Sequence, residues 1–443
     1  MLTALAALTL GSTATLPLRL PAEWEPQEAV LISWPTYDHV QNMPVSDVHV
    51  RIAQSLTPHV RVDILVRNAQ EERAARAQLR RGGVTQNIRF MRSPNAEIWV
   101  RDFGPIFTFQ PNGQRTIVDF GFDYWGYSTP ADPLAKRETS TESAVAKAMN
   151  LPIVKANLVS EGGNRESNGR GTLMMVESVE RDRNPRLNRL QIEDEYRRVF
   201  GTRNFLWIPR GVLDDGYTFD GPLPNGSYTP ITTGGHVDNI ARFVDRRTLL
   251  VAEVTAAEAK NDPLAAENRR RTEEAVAILR EARTEDGEPF RIIRMPSPDP
   301  ILRTMRPGDP VYDFISTLEY RSGVPFPKGK PVQVAFATSY MNFLITNGAV
   351  LTSRFYKPGR NLALKRKDEQ AIATLRRGLH GRKIIAIDSD AVNLGGGGVL
   401  DSEFSLTLFG KEFGLFGTKG FFLSGESYDV AVFAMFLFQM VFM

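Results

Sequence analysis

The sequence predicts a mixed α/β protein built from a recurring unit of short strands and one helix, rather than a doubly wound parallel sheet. Three observations point that way. Short β-branched apolar runs alternate with single helical stretches along the chain, as expected of buried strands covered by amphipathic helices. The alternation returns at intervals of roughly 60–90 residues, although no repeat is visible in the residues themselves. The residue clusters best suited to chemistry fall in loops that end different units, which suits a site on the axis of a closed, propeller-like ring.

Residues 20–35 make a proline-bounded turn feeding a buried strand that stops at Pro35. A helix is expected near 46–58, then a β-branched strand at 60–66 and a charged helix over 69–81. A strand at 88–91 leads into the loop 99–105, where Gly104-Pro105 marks a tight turn rather than a helix. The next unit has a strand at 117–120, a helix near 140–149 and an extended segment reaching Leu158. Strands at 171–176 and 205–207 flank a helix over 191–199, and strands at 248–254 and 290–295 flank a helix over 264–283. The last pair, 343–351 and 383–387, flanks a helix over 368–378. Two stretches interrupt the rhythm. Residues 214–234 are rich in Gly, Pro, Tyr and Thr, and a long loop beside a motif reads as a wall or lid. Residues 296–330 read as a Pro/Gly-rich surface connection.

At 443 residues, with 42% hydrophobic and 24% charged residues, the chain can bury a large core. The net charge of +3 is small, and no dense Lys/Arg tract with interleaved aromatics occurs. The most basic stretches, 181–189 and 269–271, have acidic neighbours and read as solvated helix faces or loops. Nucleic-acid binding is therefore not expected. The lack of cysteine excludes disulfides, thiolate metal sites and thiol catalysis. Residues 1–18 read as an N-terminal extension. The apolar run 1–10 and the small residues 11–15 are signal-like, but the segment lacks a basic start and is too short to span a membrane. A cytoplasmic location is expected, with secretion as the alternative, and the sequence allows an oligomer.

Four motifs hold the residues that carry chemistry. They are Trp99-Val100-Arg101-Asp102, Glu161-Gly162-Gly163, Gly235-His236-Val237-Asp238-Asn239, and the glycine run 395–398 before Val399-Leu400-Asp401. Singly, each has a plain structural reading. Arg101-Asp102 suits a surface ion pair, His236 a satisfied structural histidine, and Glu161-Gly162-Gly163 a turn. The glycines suit a flexible loop, since they lack the Lys and Ser/Thr of a phosphate-binding loop. His236 and Asp238 are two residues apart, so an extended strand would put both side chains on one face.

Together and in this order, the motifs resemble the agmatine deiminase and bacterial peptidylarginine deiminase family. Pro21-Ala22-Glu23-Trp24, Gly171-Thr172-Leu173, Ile208-Pro209-Arg210-Gly211 and Ser339-Tyr340-Met341-Asn342-Phe343 extend the resemblance over about residues 20–400. It implies the pentein fold, an α/β propeller of five pseudo-symmetric ββαβ units around a central site, with residues 19–400 as the catalytic domain. It also implies that Asp102 and Asp238 grip a planar guanidinium by bidentate hydrogen bonds, with Glu161 as the third acidic residue. In the family reaction a cysteine thiolate attacks the guanidinium carbon. A histidine, here His236, protonates the departing ammonia and then activates the water that releases a ureido product. No metal or organic cofactor is implied. The implied substrate is agmatine, arginine or a peptidyl-arginine. Trp24, Trp99, Arg101, Trp125, Asn239, Gly396 and Gly397 are the residues expected to line it, with Tyr124 beside them.

The pattern breaks at its end. In the family the four-glycine turn continues through an apolar residue and a histidine to the nucleophilic cysteine. Here the last two places hold Leu400 and Asp401. Composition changes at the same point: residues 401–443 hold ten Phe against sixteen in the preceding 400, with no Pro and no Arg. Neither the Thr-Gln strand nor the closing segment of the family is legible there. A frame change near Gly398 accounts for both features. Residues 399–403 can be encoded GTG CTT GAC TCA GAA, and that string shifted by one base reads Cys-Leu-Thr-Gln, although the histidine is still missing. The rival is a true substitution, in which Asp401 adds a carboxylate beside Asp102 and Asp238 and each raises the others' pKa. Both versions lack the thiol, so the alternative function is guanidinium binding without turnover.

Overall fold

The computed structural model describes residues 18–260 and 262–407. The signal-like extension up to residue 17 and the Phe-rich stretch from 408 onward lie outside the described residues.

Five sheets share one connection pattern. A short strand turns antiparallel onto a second strand, and a helix then crosses to a third strand that runs parallel to the second. Ile106–Phe109, Arg115–Gly121 and Ile153–Val159 make one such sheet around helix Pro133–Met149. Glu166–Ser167, Thr172–Val176 and Asn204–Ile208 make the next around Arg189–Phe200. Ala241–Phe243, Thr248–Glu253 and Arg291–Pro296 follow around Pro263–Glu281. Leu344–Ile345, Ala349–Ser353 and Lys383–Ile387 do the same around Leu362–Gly378.

The remaining sheet is completed from a distant part of the chain. Glu403–Thr407 pairs antiparallel with Gln27–Ser33, which pairs in parallel with Arg61–Val66 after helix Val45–Leu56. Helix Ala69–Arg81 then adds Ile88–Arg92 as a further parallel strand. The sequence shows no closing strand past residue 400, yet the backbone at 403–407 supplies one. Every residue of Thr172–Val176 and of Ala349–Ser353 is buried. That is why these strands read as continuous apolar runs without alternation.

Most elements stand where the pattern places them, and the departures have local causes. Helix Pro133–Met149 starts well before 140, because Asp132 accepts the Leu134 N–H and Pro133 takes the first helical position. Helix Leu362–Gly378 likewise starts early, capped by Asn361. The segment 296–330 lies largely at the surface, as expected, but it has elements of its own. It carries Leu302–Met305, paired antiparallel with Val332–Ala335, and helix Pro310–Ile315, whose Val311, Tyr312 and Ile315 are buried. No helix among the described residues is long and apolar enough to cross a membrane.

Candidate functional site

The motif loops meet at one buried point. Asp102 lies on the short helix Val100–Phe103, not on the turn its neighbours suggested. Four residues are too few to show a helical period, which is why the sequence hid it. The Asp102 carboxylate accepts from Trp125 Nε1 at 2.8 Å and from the Gly163 backbone N–H at 2.9 Å. His236 precedes the 3-10 turn Val237–Asn239, so that turn, and not an extended strand, brings Asp238 beside it. His236 Nδ1 stands 3.7 Å from Asp102 Oδ1, and Nε2 stands 3.5 Å from Glu161 Oε2. Gly163 sits where nothing larger fits. A Cβ there would lie 2.4 Å from His236 Nδ1 and 2.9 Å from both Asp102 Oδ1 and Asp238 Oδ2.

The glycine run wraps the same point from the other side. Gly396 has φ +114° and a Cβ on it would fall 1.7 Å from the Ile231 carbonyl oxygen, so the turn requires glycine on two counts. The turn delivers Asp401, whose two oxygens accept from Asn342 Nδ2 at 3.0 Å each and whose Oδ2 also accepts from Gly398 N–H at 2.7 Å. The Asp401 carbonyl in turn accepts the Arg101 N–H at 3.2 Å, which ties this turn to the Asp102 helix. Trp99, Asp102, Trp125, Gly396, Gly397 and Asp401 border a narrow cavity of about 20 Å³, room for about one water. His39 stacks on Trp99 with ring centroids 5.5 Å apart and fixes that wall.

Asp102, Glu161, His236, Asp238 and Asp401 are all buried, and neighbours set the charge of the first four. Burial and then the charge of Asp401 push Asp238 well above the ordinary carboxylate range, against the pull of His236 and Arg101. Asp102 is lifted to about 6 by burial, with His236 holding it back and Asp401 and Glu161 adding to the rise. Burial also disfavours charge on Glu161, but Arg183 and His236 outweigh it and hold the group down at about 2. For His236, burial opposes the imidazolium, yet Asp102 and Glu161 overcome it and raise the group to about 10. The site thus pairs a charged histidine with one firmly ionised glutamate and raises Asp102 and Asp238. Neither carboxylate oxygen of Asp238 accepts a hydrogen bond from any described residue. No cluster of three or more His, Asp or Glu suited to hold a metal ion occurs among the described residues.

Three expected site residues face elsewhere. The Trp24 ring packs edge-on against Phe243 at 6.5 Å, and its carbonyl accepts from Arg382 at 2.7 Å. Arg101 lies in a buried ion network behind the site, 3.6 Å from Glu23 and 3.4 Å from Glu166. From there it acts on Asp238 only through its charge. Asn239 turns away and donates to Asp215 Oδ2 at 3.1 Å. Asp215 also accepts the His236 backbone N–H at 2.9 Å, so it holds the histidine turn in place.

Arg183 belongs to a basic stretch whose acidic neighbours suggest a solvated face, yet it is buried. Its side chain is 1% exposed and donates from Nε to Glu161 at 2.6 Å. Its other nitrogens donate to Tyr217 Oη at 2.6 Å and the Thr233 carbonyl at 2.8 Å. The 214–234 loop is therefore tied to the site glutamate. Breaking one partner of such a pair leaves an uncompensated buried charge. Arg183→Met is expected to cost about 3–5 kcal/mol of stability, read as a lowered urea midpoint at neutral pH.

A buried imidazole faced by carboxylates, held on loops of ββαβ sheets, defines a mixed α/β protein with a buried, strongly polar centre. The family model for Porphyromonas-type peptidyl-arginine deiminases matches residues 19–400, and the chain belongs to that family. An agmatine deiminase of Pseudomonas putida is 29% identical over 401 residues, spanning 88% of this chain and 96% of the relative. Among solved structures, the agmatine deiminase of Enterococcus faecalis is similar in fold, with a TM-score of 0.67 at 21% identity over 88% of this chain and 95% of that one. A Cys-to-Ser variant of C. jejuni agmatine deiminase with substrate bound has a TM-score of 0.64 at 19% identity, over 88% and 96% of the two chains.

Proposed function

We propose that this chain, by widening the narrow cavity beside Asp102 toward Asp238, binds a guanidinium cation between the two carboxylates and, as written, does not turn it over. Its five ββαβ sheets are read as a pseudo-fivefold ring with the site on the axis. Asp238 is the observation that carries the reading. A fully buried carboxylate with no donor on either oxygen is costly unless a cation meets it. A guanidinium supplies both the charge and a fork of N–H donors matched to a carboxylate. Asp102 is the second arm of the clamp, and Glu161 holds His236 in its cationic form.

Turnover fails at the nucleophile. Asp401 stands at the family's cysteine position, and the chain has no cysteine anywhere. A carboxylate is a far weaker nucleophile than a thiolate toward a resonance-stabilised guanidinium carbon. Agmatine titrated calorimetrically into the chain should give saturable binding, with no ammonia and no ureido product after long incubation. Absence of binding overturns the proposal. Resequencing the coding DNA around codon 400 decides between a frame change and a true Asp401.

The clamp also fixes a pH dependence. A bound cation favours the ionised forms of Asp102, lifted to about 6, and of Asp238, lifted further. Binding must therefore release protons. Affinity is expected to rise with pH from 5 to 8, by up to about tenfold per unit while one linked group is still protonated. Titration in two buffers of different ionisation enthalpy should show net proton release. An affinity flat across that range would sink this assignment of the clamp.

A further inference from the structure

The chain contains four Asn-Gly steps, at residues 112, 168, 225 and 347. At such a step the next backbone nitrogen can reach the side-chain amide carbon, since glycine has no Cβ to obstruct it. The structure sorts the four. Asn168 is buried, its Oδ1 accepting from the Arg170 and Thr172 N–H groups and its Nδ2 donating to the Arg246 carbonyl and Glu285. Asn347 is held at both ends by the backbone of Gln27, each bond at 2.8 Å. Asn112 and Asn225 are exposed, and each follows a proline in the same kind of turn. The glycine N–H donates three residues back, Gly113 to Gln110 at 2.8 Å and Gly226 to Leu223 at 2.7 Å. The asparagine Oδ1 accepts the N–H two residues on, from Gln114 at 2.9 Å and from Ser227 at 3.0 Å. They differ in one contact: the Ser227 hydroxyl also donates to Asn225 Oδ1, at 2.7 Å.

We propose that Asn225 is a self-modification site, deamidated by the Gly226 backbone nitrogen with help from the Ser227 hydroxyl. The Gly226 nitrogen bonds to Asn225 Cγ and gives its proton to water. Nδ2 takes a proton from water and leaves as ammonia, closing a five-membered succinimide. One water then opens either ring carbonyl, leaving aspartate or, through the side chain, isoaspartate. The net change is one water consumed and one ammonia released, with no oxidant or reductant. The ring closed by the Ser227 N–H bond contains both Cγ and the Gly226 nitrogen, so the amide is already folded over the peptide it must meet. Negative charge develops on Oδ1 during the attack, and two donors already point at that oxygen. A Cβ on Gly226 would meet nothing within 4 Å, so water reaches the ring freely. The Gly226 N–H must first leave Leu223, a cost that the Asn112 turn shares. Isoaspartate lengthens the main chain by one carbon inside the bond from the Leu223 N–H to the Ser227 carbonyl, at 2.7 Å. Tyr228, just beyond, is fixed to the strand Val332–Ala335 through Gln333 and Ala335, each at 2.8 Å. The tip therefore gives up its own pairing.

The test is prolonged incubation of the full chain at mildly alkaline pH in heavy-oxygen water, followed by peptide mapping with mass spectrometry. Asn225 is expected to convert about fivefold or more faster than Asn112, the effect of one added hydrogen bond on a transition state. Ser227→Ala should bring Asn225 down to the Asn112 rate. Gln114→Ser, at an exposed position of the matching turn, should raise Asn112 toward the Asn225 rate. The ammonia comes from the chain itself, once per molecule, and appears equally with and without agmatine. Asn112 converting as fast as Asn225, or both variants leaving the ratio unchanged, overturns the proposal. So does an Asn225 that gains no labelled oxygen.

Discussion

Asp401→Cys is expected to give a chain that releases ammonia from agmatine at least about 10³-fold faster than its parent, since it restores the nucleophile that attacks the guanidinium carbon. The backbone is already arranged for it. The glycine turn brings residue 401 to the cavity it shares with Asp102 and pins it through the Arg101 N–H at 3.2 Å. His236, charged and in contact with Glu161, is placed to protonate a leaving amine. The thiol would meet opposing influences. Asp102 and Asp238 disfavour a thiolate, while the imidazolium and the bound guanidinium favour one. Ionisation should therefore follow binding, and activity should rise with pH along with affinity. Ammonia release and a ureido product seen by mass spectrometry are the readouts. A variant that binds agmatine as the parent does, yet forms neither product nor covalent adduct, would show that Leu400 or the tail also matters.

Asp238→Asn should make the protein more stable and unable to bind. The native carboxylate is buried without a hydrogen bond, and its pKa is raised in the folded state. A group of that kind favours folding only at low pH and opposes it increasingly as pH rises toward its folded value. The amide carries no charge to desolvate, so the gain should be about 1–3 kcal/mol near neutrality and smaller at pH 4. Guanidinium chloride gives a direct readout. In the millimolar range it should raise the melting temperature of the parent by binding the clamp, and leave Asp238→Asn unchanged. Equal shifts in both proteins would mean that the cation acts elsewhere.

Much of the site was legible because its residues lie in short motifs with distinctive neighbours. Asp102, Glu161, His236, Asp238 and Asp401 converge as their motifs implied, and Trp99, Trp125, Gly396 and Gly397 border the same cavity. Arg101, Trp24 and Asn239 share those motifs but point away, since adjacency in sequence does not fix the side a residue faces. Arg183 could not be found by pattern. It sits among other arginines, and only its contact with Glu161 distinguishes it from solvated neighbours. In the fold, long helices and buried strands were readable from their period. The helix starts at Pro133 and Leu362 and the four-residue helix at Val100 were not, since caps and tertiary packing set them.

The pairing of Gln27–Ser33 with Glu403–Thr407 has a consequence for synthesis. The partners are about 380 residues apart, and joining them closes a loop whose entropy costs roughly 5 kcal/mol if the intervening chain is flexible. At typical translation speeds the earlier strand waits roughly 20–80 s for its partner to leave the ribosome. Until then one edge of the first sheet has open backbone donors and acceptors, ready to pair with another nascent chain. A chain cut short before residue 403 would leave that edge open, whereas one cut after residue 407 would spare it. Cotranslational aggregation, rather than altered binding, is where such a truncation should first be visible.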